Sequence, residues 1–394
     1  QRVIDGFGLT IFESSPDRGE RTYWYDAADR LVRLIDADED ETLYAYDAAG
    51  RQISETYVDS AWENIAFSYD SVVGGNNGKG RLTGVMDQSG ASALSYDRQG
   101  RLTQDLKTIQ GRAYTLAYAY DLDGEVTRIT LPSGRLVDFS RNPEGRITAI
   151  DTRATAVATP TSILDAIQYA PFGPLTAAVH GNGLEWEQTH DGNYWQTGLR
   201  VGSSAGNLLS LTFARNETGA LSGVRDAVTG DRGASFGYTD DGRLQYAVGA
   251  WGDESYGYDP SGNRTEVRRD DGSTVSYEFA LTSPTSNRIT EVRDTGWSLL
   301  RDLSYRNGGD LYAQDYTSGS DFEYHYGVRK RLLGISENSA VTASYSYDYL
   351  GRRVARTLAA SGQTIHYVFD DQGRLHGEYD GATGQFLKEY VWLE

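Results

Sequence analysis

The chain has 394 residues, room for two or three ordinary domains, with 37 basic against 56 acidic side chains and a net charge of −19. That balance argues against a nucleic-acid partner, since phosphate contacts need a basic face, and it suits a highly soluble secreted or cell-surface protein. No cysteine is present, so disulfides and thiolate metal sites are excluded, and no apolar run is long enough to predict membrane insertion.

Along the chain one phrase recurs: an aromatic residue, Asp, two variable residues, Gly, Arg and an aliphatic residue. Worn copies begin at Tyr25-Asp26, and full ones stand at Tyr46-Asp47 with Gly50-Arg51 and at Tyr96-Asp97 with Gly100-Arg101-Leu102. Further copies begin at Tyr120, Tyr238, Tyr258, Tyr347 and Phe369. Spacings of about 19 to 28 residues are those of a repeat architecture. Each phrase reads as a hairpin turn, with Asp accepting from backbone N–H groups two residues on and Gly supplying a positive φ. The flanks alternate, so Tyr44 and Tyr46, or Tyr118 and Tyr120, share one face of a sheet. A face of 28 Tyr against 11 Phe is expected to border water, rings packed and hydroxyls hydrated.

Residues 1–150 are repeats, 151–210 a looser segment with a PFGP motif at Pro171–Pro174 and GNG at Gly181–Gly183, and 211–394 repeats again. No stretch joins helical period to caps, so the predicted fold is all-β, tandem hairpins forming one continuous curved sheet. Sixteen or so hairpins make about thirty strands; at ~4.8 Å each, a single closed ring would be roughly 45–50 Å across. Such a ring has open ends and exposed strand edges, which favour self-association.

These residues resemble the YD-repeat, or Rhs-repeat, family of bacteria, whose animal relatives are the teneurins. The likeness spans essentially the whole chain, including the PFGP and GNG motifs and the closing Gly373–Asp380 and Glu389–Leu393 runs. It implies a sheet that spirals into a hollow shell and encloses a C-terminal toxin or other polypeptide. The core segment that carries self-cleavage in the family, and any toxin, do not follow Leu393, so the chain reads as truncated before them and its start as an internal cut.

Candidate chemistry is sparse. Two G-x-S-x-G matches, around Ser204 and Ser235, lack the strand-to-helix context of a nucleophile elbow. The acidic run Asp36–Glu41 opens like a calcium loop, but Glu41 stands where the loop needs Gly, so it reads as a solvated hairpin tip. The five histidines are scattered without metal-site spacing, Glu185 and Glu187 lie on one strand with no cleft, and the two N-glycosylation patterns are chance matches. No catalytic residue, metal or cofactor is assigned. Trp186, Tyr194 and Trp195, in the irregular segment, are the candidate glycan-binding residues; Trp62, Trp251 and Trp297 sit near turns. The expected function is a non-catalytic shell or scaffold, and the alternative is a carbohydrate-binding adhesion module.

Overall fold

A computed structural model describes residues 1–279 and 286–393. They form one sheet of 35 strands, from Arg2–Ile4 to Phe386–Glu389, with two 3₁₀ turns, Ala61–Glu63 and Val73–Gly75. Every strand pairs antiparallel with its neighbours in sequence, so the sheet is an uninterrupted meander, irregular segment included. The two end strands each pair on one side only, and the sheet does not close on itself by backbone pairing.

Because connections alternate between the two edges of the sheet, the turns of the repeat phrase fall on one rim. Their geometry explains the phrase. In Asp47–Arg51 the Asp47 N–H donates to the Arg51 carbonyl (2.9 Å) and the Gly50 N–H to the Asp47 carbonyl (3.0 Å), with Gly50 at φ 83°. Asp47 Oδ1 accepts from the N–H groups of Ala49 and Arg51, while Oδ2 accepts from Arg51 Nε at 2.8 Å. The same set recurs at Asp26, Asp97, Asp348 and Asp370.

Units are joined by the Tyr and Arg of that phrase. Each arginine lies over the next unit's ring, Arg30 over Tyr46 (4.7 Å), Arg51 over Tyr69 (4.4 Å) and Arg101 over Tyr120 (4.6 Å). Arg101 and Arg243 also donate to the next unit's turn, at the carbonyls of Asp121 and Asp259. The sequence led us to expect hydrated tyrosine hydroxyls, but those of the repeat phrase bond to the backbone instead. Tyr46, Tyr69, Tyr96, Tyr120 and Tyr347 donate backwards to the carbonyls of Leu31, Gln52, Leu82, Leu102 and Leu332, each one residue past the preceding unit's arginine position. A planar, forked cation serves the pairing, the stacking and the onward bond together, which lysine cannot.

Registers run an apolar ladder along one face: Leu94 faces Asp105, Asp105 faces Leu116, Tyr118 faces Ile129, Ile129 faces Val137 and Phe139 faces Ile150. The sheet is a spiral, as the family resemblance implies, and not the closed ring on which the size estimate was based. Among the described residues, hydrogen bonds between distant parts of the chain all span 236 to 292 positions. About 23 strands at ~4.8 Å make one whorl, roughly 110 Å around and 35 Å across. The whorl is narrower than a ring closed from all the strands because twist accumulated over two dozen strands carries the sheet past its own start.

Candidate functional site at the overlap of two whorls

The second whorl begins on the rim of the first and ends on its face. At the beginning, the turn carrying Asp17 meets Ser286, Asn287 and Arg288. Asp17 Oδ1 accepts from the Asn287 N–H (2.8 Å) and Ser286 Oγ (3.0 Å), Oδ2 from Asn287 Nδ2 (2.9 Å), and the Asp17 carbonyl from Arg288. Burial pushes the Asp17 carboxyl up, but those donors and Arg288 outweigh it and hold Asp17 below the usual carboxylate range.

The acidic run comes next, and it is no solvated tip. Lys330 of the second whorl places its Nζ 2.9, 2.7 and 2.7 Å from carboxylate oxygens of Asp36, Asp38 and Asp40. The three acids could hold a metal ion by geometry, but the lysine ammonium already sits among them. Burial opposes the charge on Lys330, and the three carboxylates outweigh it, pushing the lysine above its ordinary value.

One turn along, the repeat phrase itself changes. In Tyr326-Gly327-Val328-Arg329-Lys330-Arg331, glycine stands at the Asp position and Lys330, at φ 55°, at the Gly position. The reason for Gly327 is Glu63 of the first whorl, a fully buried carboxylate. Its Oε1 accepts from the Val328 N–H (3.0 Å) and Ser60 Oγ (3.0 Å), and a Cβ on residue 327 would collide with its Oε2. A carboxylate from the other whorl thus fills the space the repeat's own Asp would take. Asp87 continues the series, accepting the Tyr349 N–H at 2.7 Å.

Past this point the second whorl slides across the apolar face. The Tyr114 ring packs tilted against Tyr379 at 4.9 Å and its hydroxyl hydrogen-bonds His366 Nδ1 at 3.0 Å, while His366 Nε2 reaches Gln110 at 3.1 Å. Leu116, Ile129, Val137, Ile147 and Ile150 of the first whorl and Val354, Val368 and Tyr379 of the second form the buried core, with Val391 and Leu393 packed against it. Two carboxylates are buried here, one of them together with a buried lysine. Asp105 pairs with Lys107 at 2.7 Å, and burial pushes its carboxyl up. Asp370 is fully buried; burial opposes its charge, but hydrogen bonds from His376 and Arg374 hold it well below the usual range.

The residues singled out from sequence are spread along the sheet. Trp186, half-buried, lies between Ala178 and Val201 on the apolar-ladder face. Tyr194 and Trp195 occupy the Gly and Arg positions of the turn that follows: Tyr194 (φ 62°) donates to the Pro171 carbonyl and its ring lies against Gly173, while Trp195 lies against Gly219 and under Arg215. Both rings therefore splice neighbouring turns. Ser204 lies in the short connection between strands Gln196–Ser203 and Gly206–Arg215, and Ser235 within strand Ala234–Tyr238. Sequence reasoning missed Glu63, Lys330 and the two buried histidines; the signal available was the joint loss of Asp and Gly at 327 and 330.

The RHS Repeat family model matches residues 25–61, 77–118 and 120–157. The tRNA3(Ser)-specific nuclease WapA of Bacillus spizizenii is 23% identical over 339 residues, covering 76% of this chain and 14% of that protein. The crystal structure of TcdB2-TccC3 superposes over 98% of this chain and 25% of its own, with a TM-score of 0.66 at 13% identity. The Photorhabdus luminescens Tc holotoxin pore, carrying a TccC3 mutation, covers 98% of this chain and 24% of its own with a TM-score of 0.65 at 13% identity. The chain thus spans a quarter or less of the proteins it is similar to. With these likenesses added to a rim of Asp-Gly-Arg turns repeated along a single sheet, the chain carries RHS repeats in its first 157 residues and is similar along its length to Rhs/YD-repeat proteins.

Proposed function

We propose that this chain is a non-catalytic stretch of wall in a toxin-type shell, built to enclose a polypeptide, in a protein that acts outside the cell or at its surface. The observation that carries the reading is the overlap: after one whorl the sheet meets itself again through side chains specific to that meeting. An overlapping spiral gives a wall without a lateral gap, whereas a flat meander of the same length would leave two long faces in water. The named relatives support the cargo: one is called a nuclease and the others belong to a Tc toxin. Their activities are their own, since this chain covers only a small part of each.

A fused, unfolded reporter peptide after Glu394 tests the reading. If the wall encloses polypeptide, the reporter resists protease in the intact chain and is cut once Gly327→Asp has opened the overlap. A reporter digested equally fast in both forms would retire the enclosure. A broad hydrolase screen is expected to find nothing, and activity abolished by Ser235→Ala would overturn the non-catalytic part. Self-association through the one-sided end strands Arg2–Ile4 and Phe386–Glu389 is a further expectation, read by light scattering.

A further inference from the structure

Where the second whorl crosses the face of the first, packing leaves a cavity of about 230 Å³. Its apolar wall includes Tyr120, Ile129, Phe139 and Trp392, and Tyr118 and His376 also line it. Two buried polar atoms on those last residues, Tyr118 Oη and His376 Nδ1, have no hydrogen-bond partner. Buried polar atoms are nearly always paired, so two orphans at one cavity mark a place where something else supplies the bonds.

The chemistry of the two orphans is complementary. Burial and the nearby Asp370, Asp105 and Asp371 carboxylates push the Tyr118 phenol up, so it keeps its proton and can donate. His376 Nε2 lies 3.1 Å from Asp370 Oδ2, and Asp370 is held ionised. The Nε2 proton is therefore fixed by its bond to Asp370, and the tautomer with that one ring proton offers a lone pair at Nδ1. A ligand that suits both must accept one hydrogen bond and donate another. Charge is balanced around the cavity, with Arg141 and Arg374 against Glu125 and Asp371. Both arginines are also engaged, Arg374 Nε with Asp370 at 2.7 Å and Arg141 with the Gly145 carbonyl at 3.0 Å. A neutral ligand follows. An apolar cavity of ~150 Å³ is known to hold benzene, so the larger volume here takes an aromatic ring with one added polar group.

We propose that this cavity binds a neutral aromatic carboxamide, its carbonyl accepting from Tyr118, its N–H donating to His376 and its ring lying among Tyr120, Phe139 and Trp392. Such a group can come from a small molecule or from a peptide, and the probes separate the two. Benzamide represents the first source and N-acetyl-phenylalanine amide the second; toluene lacks the amide and benzoate adds a charge. Ligand-observed NMR on the intact chain should show binding by at least one amide, with toluene and benzoate weaker. Tyr118→Phe should weaken that binding about five- to tenfold, the loss of one hydrogen bond. It should leave the melting temperature unchanged or raised, because the hydroxyl it removes has no partner. Val126→Trp, which fills the cavity, should abolish binding. The proposal falls if neither amide binds at millimolar concentration, or if binding survives both substitutions. It falls too if Tyr118→Phe lowers the melting temperature, which would mean that the hydroxyl already has a structural partner.

Discussion

The rim opposite the Asp turns exists in two conditions, covered by the second whorl early in the chain and uncovered in the middle. Where it is covered, carboxylates reach across: Asp17, Asp38, Glu63 and Asp87 all accept bonds from the other whorl. Where it is uncovered, the comparable acid turns inward. Asp226 is satisfied within its own loop by the N–H of Val228 (2.9 Å), Thr229 Oγ1 (2.9 Å) and Arg232 (3.0 Å), and these donors hold it low, at about 2. The tips of that stretch, such as Val157 and Trp251, are exposed and apolar. What distinguishes a joint from a bare rim is a few side chains aimed outward, so the joint is a property of particular residues and not of the repeat.

The sharpest way to break this contrast is to restore the repeat's own consensus. Gly327→Asp puts a second carboxylate against buried Glu63 and is expected to destabilise the chain by about 3–5 kcal/mol, read by denaturant unfolding. The double variant with Glu63→Ala should recover much of that loss, a coupling that independent sites would not show. Lys330→Met removes the ammonium from Asp36, Asp38 and Asp40, and should cost about 3 kcal/mol because three carboxylates then face one another, partly buried.

Acid should open the joint before it unfolds the rest. The folded values of Asp17 and Asp38 are lowered, so their stabilisation is complete above the ordinary carboxylate value near 3.8 and is lost as pH falls through the lowered values. Hydrogen exchange at 286–293 and 327–337 should therefore accelerate below about pH 4 ahead of exchange at 102–120. Unchanged protection of those segments at pH 3 would contradict the assignment. The smallest effect belongs to the bare rim, where Trp251→Ser should change stability by no more than ~0.5 kcal/mol. A larger loss there would mean that the middle of the rim is also covered.

Much of the fold was legible because its determinants are local. Asp, Gly and the alternation around Tyr44 or Tyr118 fix each hairpin and its facing side, and five residues suffice to read them. The joint was not legible, because it depends on where the curling sheet returns after some 270 residues, a sum of small twists that no local window contains. Glu63 illustrates the limit: in sequence it is one more acid in a loop, and only the glycine 264 positions later gives it meaning. Tyr194 and Trp195 were legible as unusual, but that they splice the turn to its neighbours at Gly173 and Gly219 needed coordinates.

The narrow range of separations between mated residues, 252 to 270 positions in three of the pairs, sets a rule for change in length. Asp17 finds Asn287, Glu63 finds Val328 and Tyr114 finds His366 only while the stretch between about 140 and 285 keeps its number of hairpins. One inserted or deleted unit there would rotate each lock past its key together, leaving Glu63 against a turn that already has its own aspartate. Growth by duplication is therefore tolerated at the ends of such a spiral and penalised in its middle, so the girth of the coil is inherited as a fixed gauge while its height is free to vary.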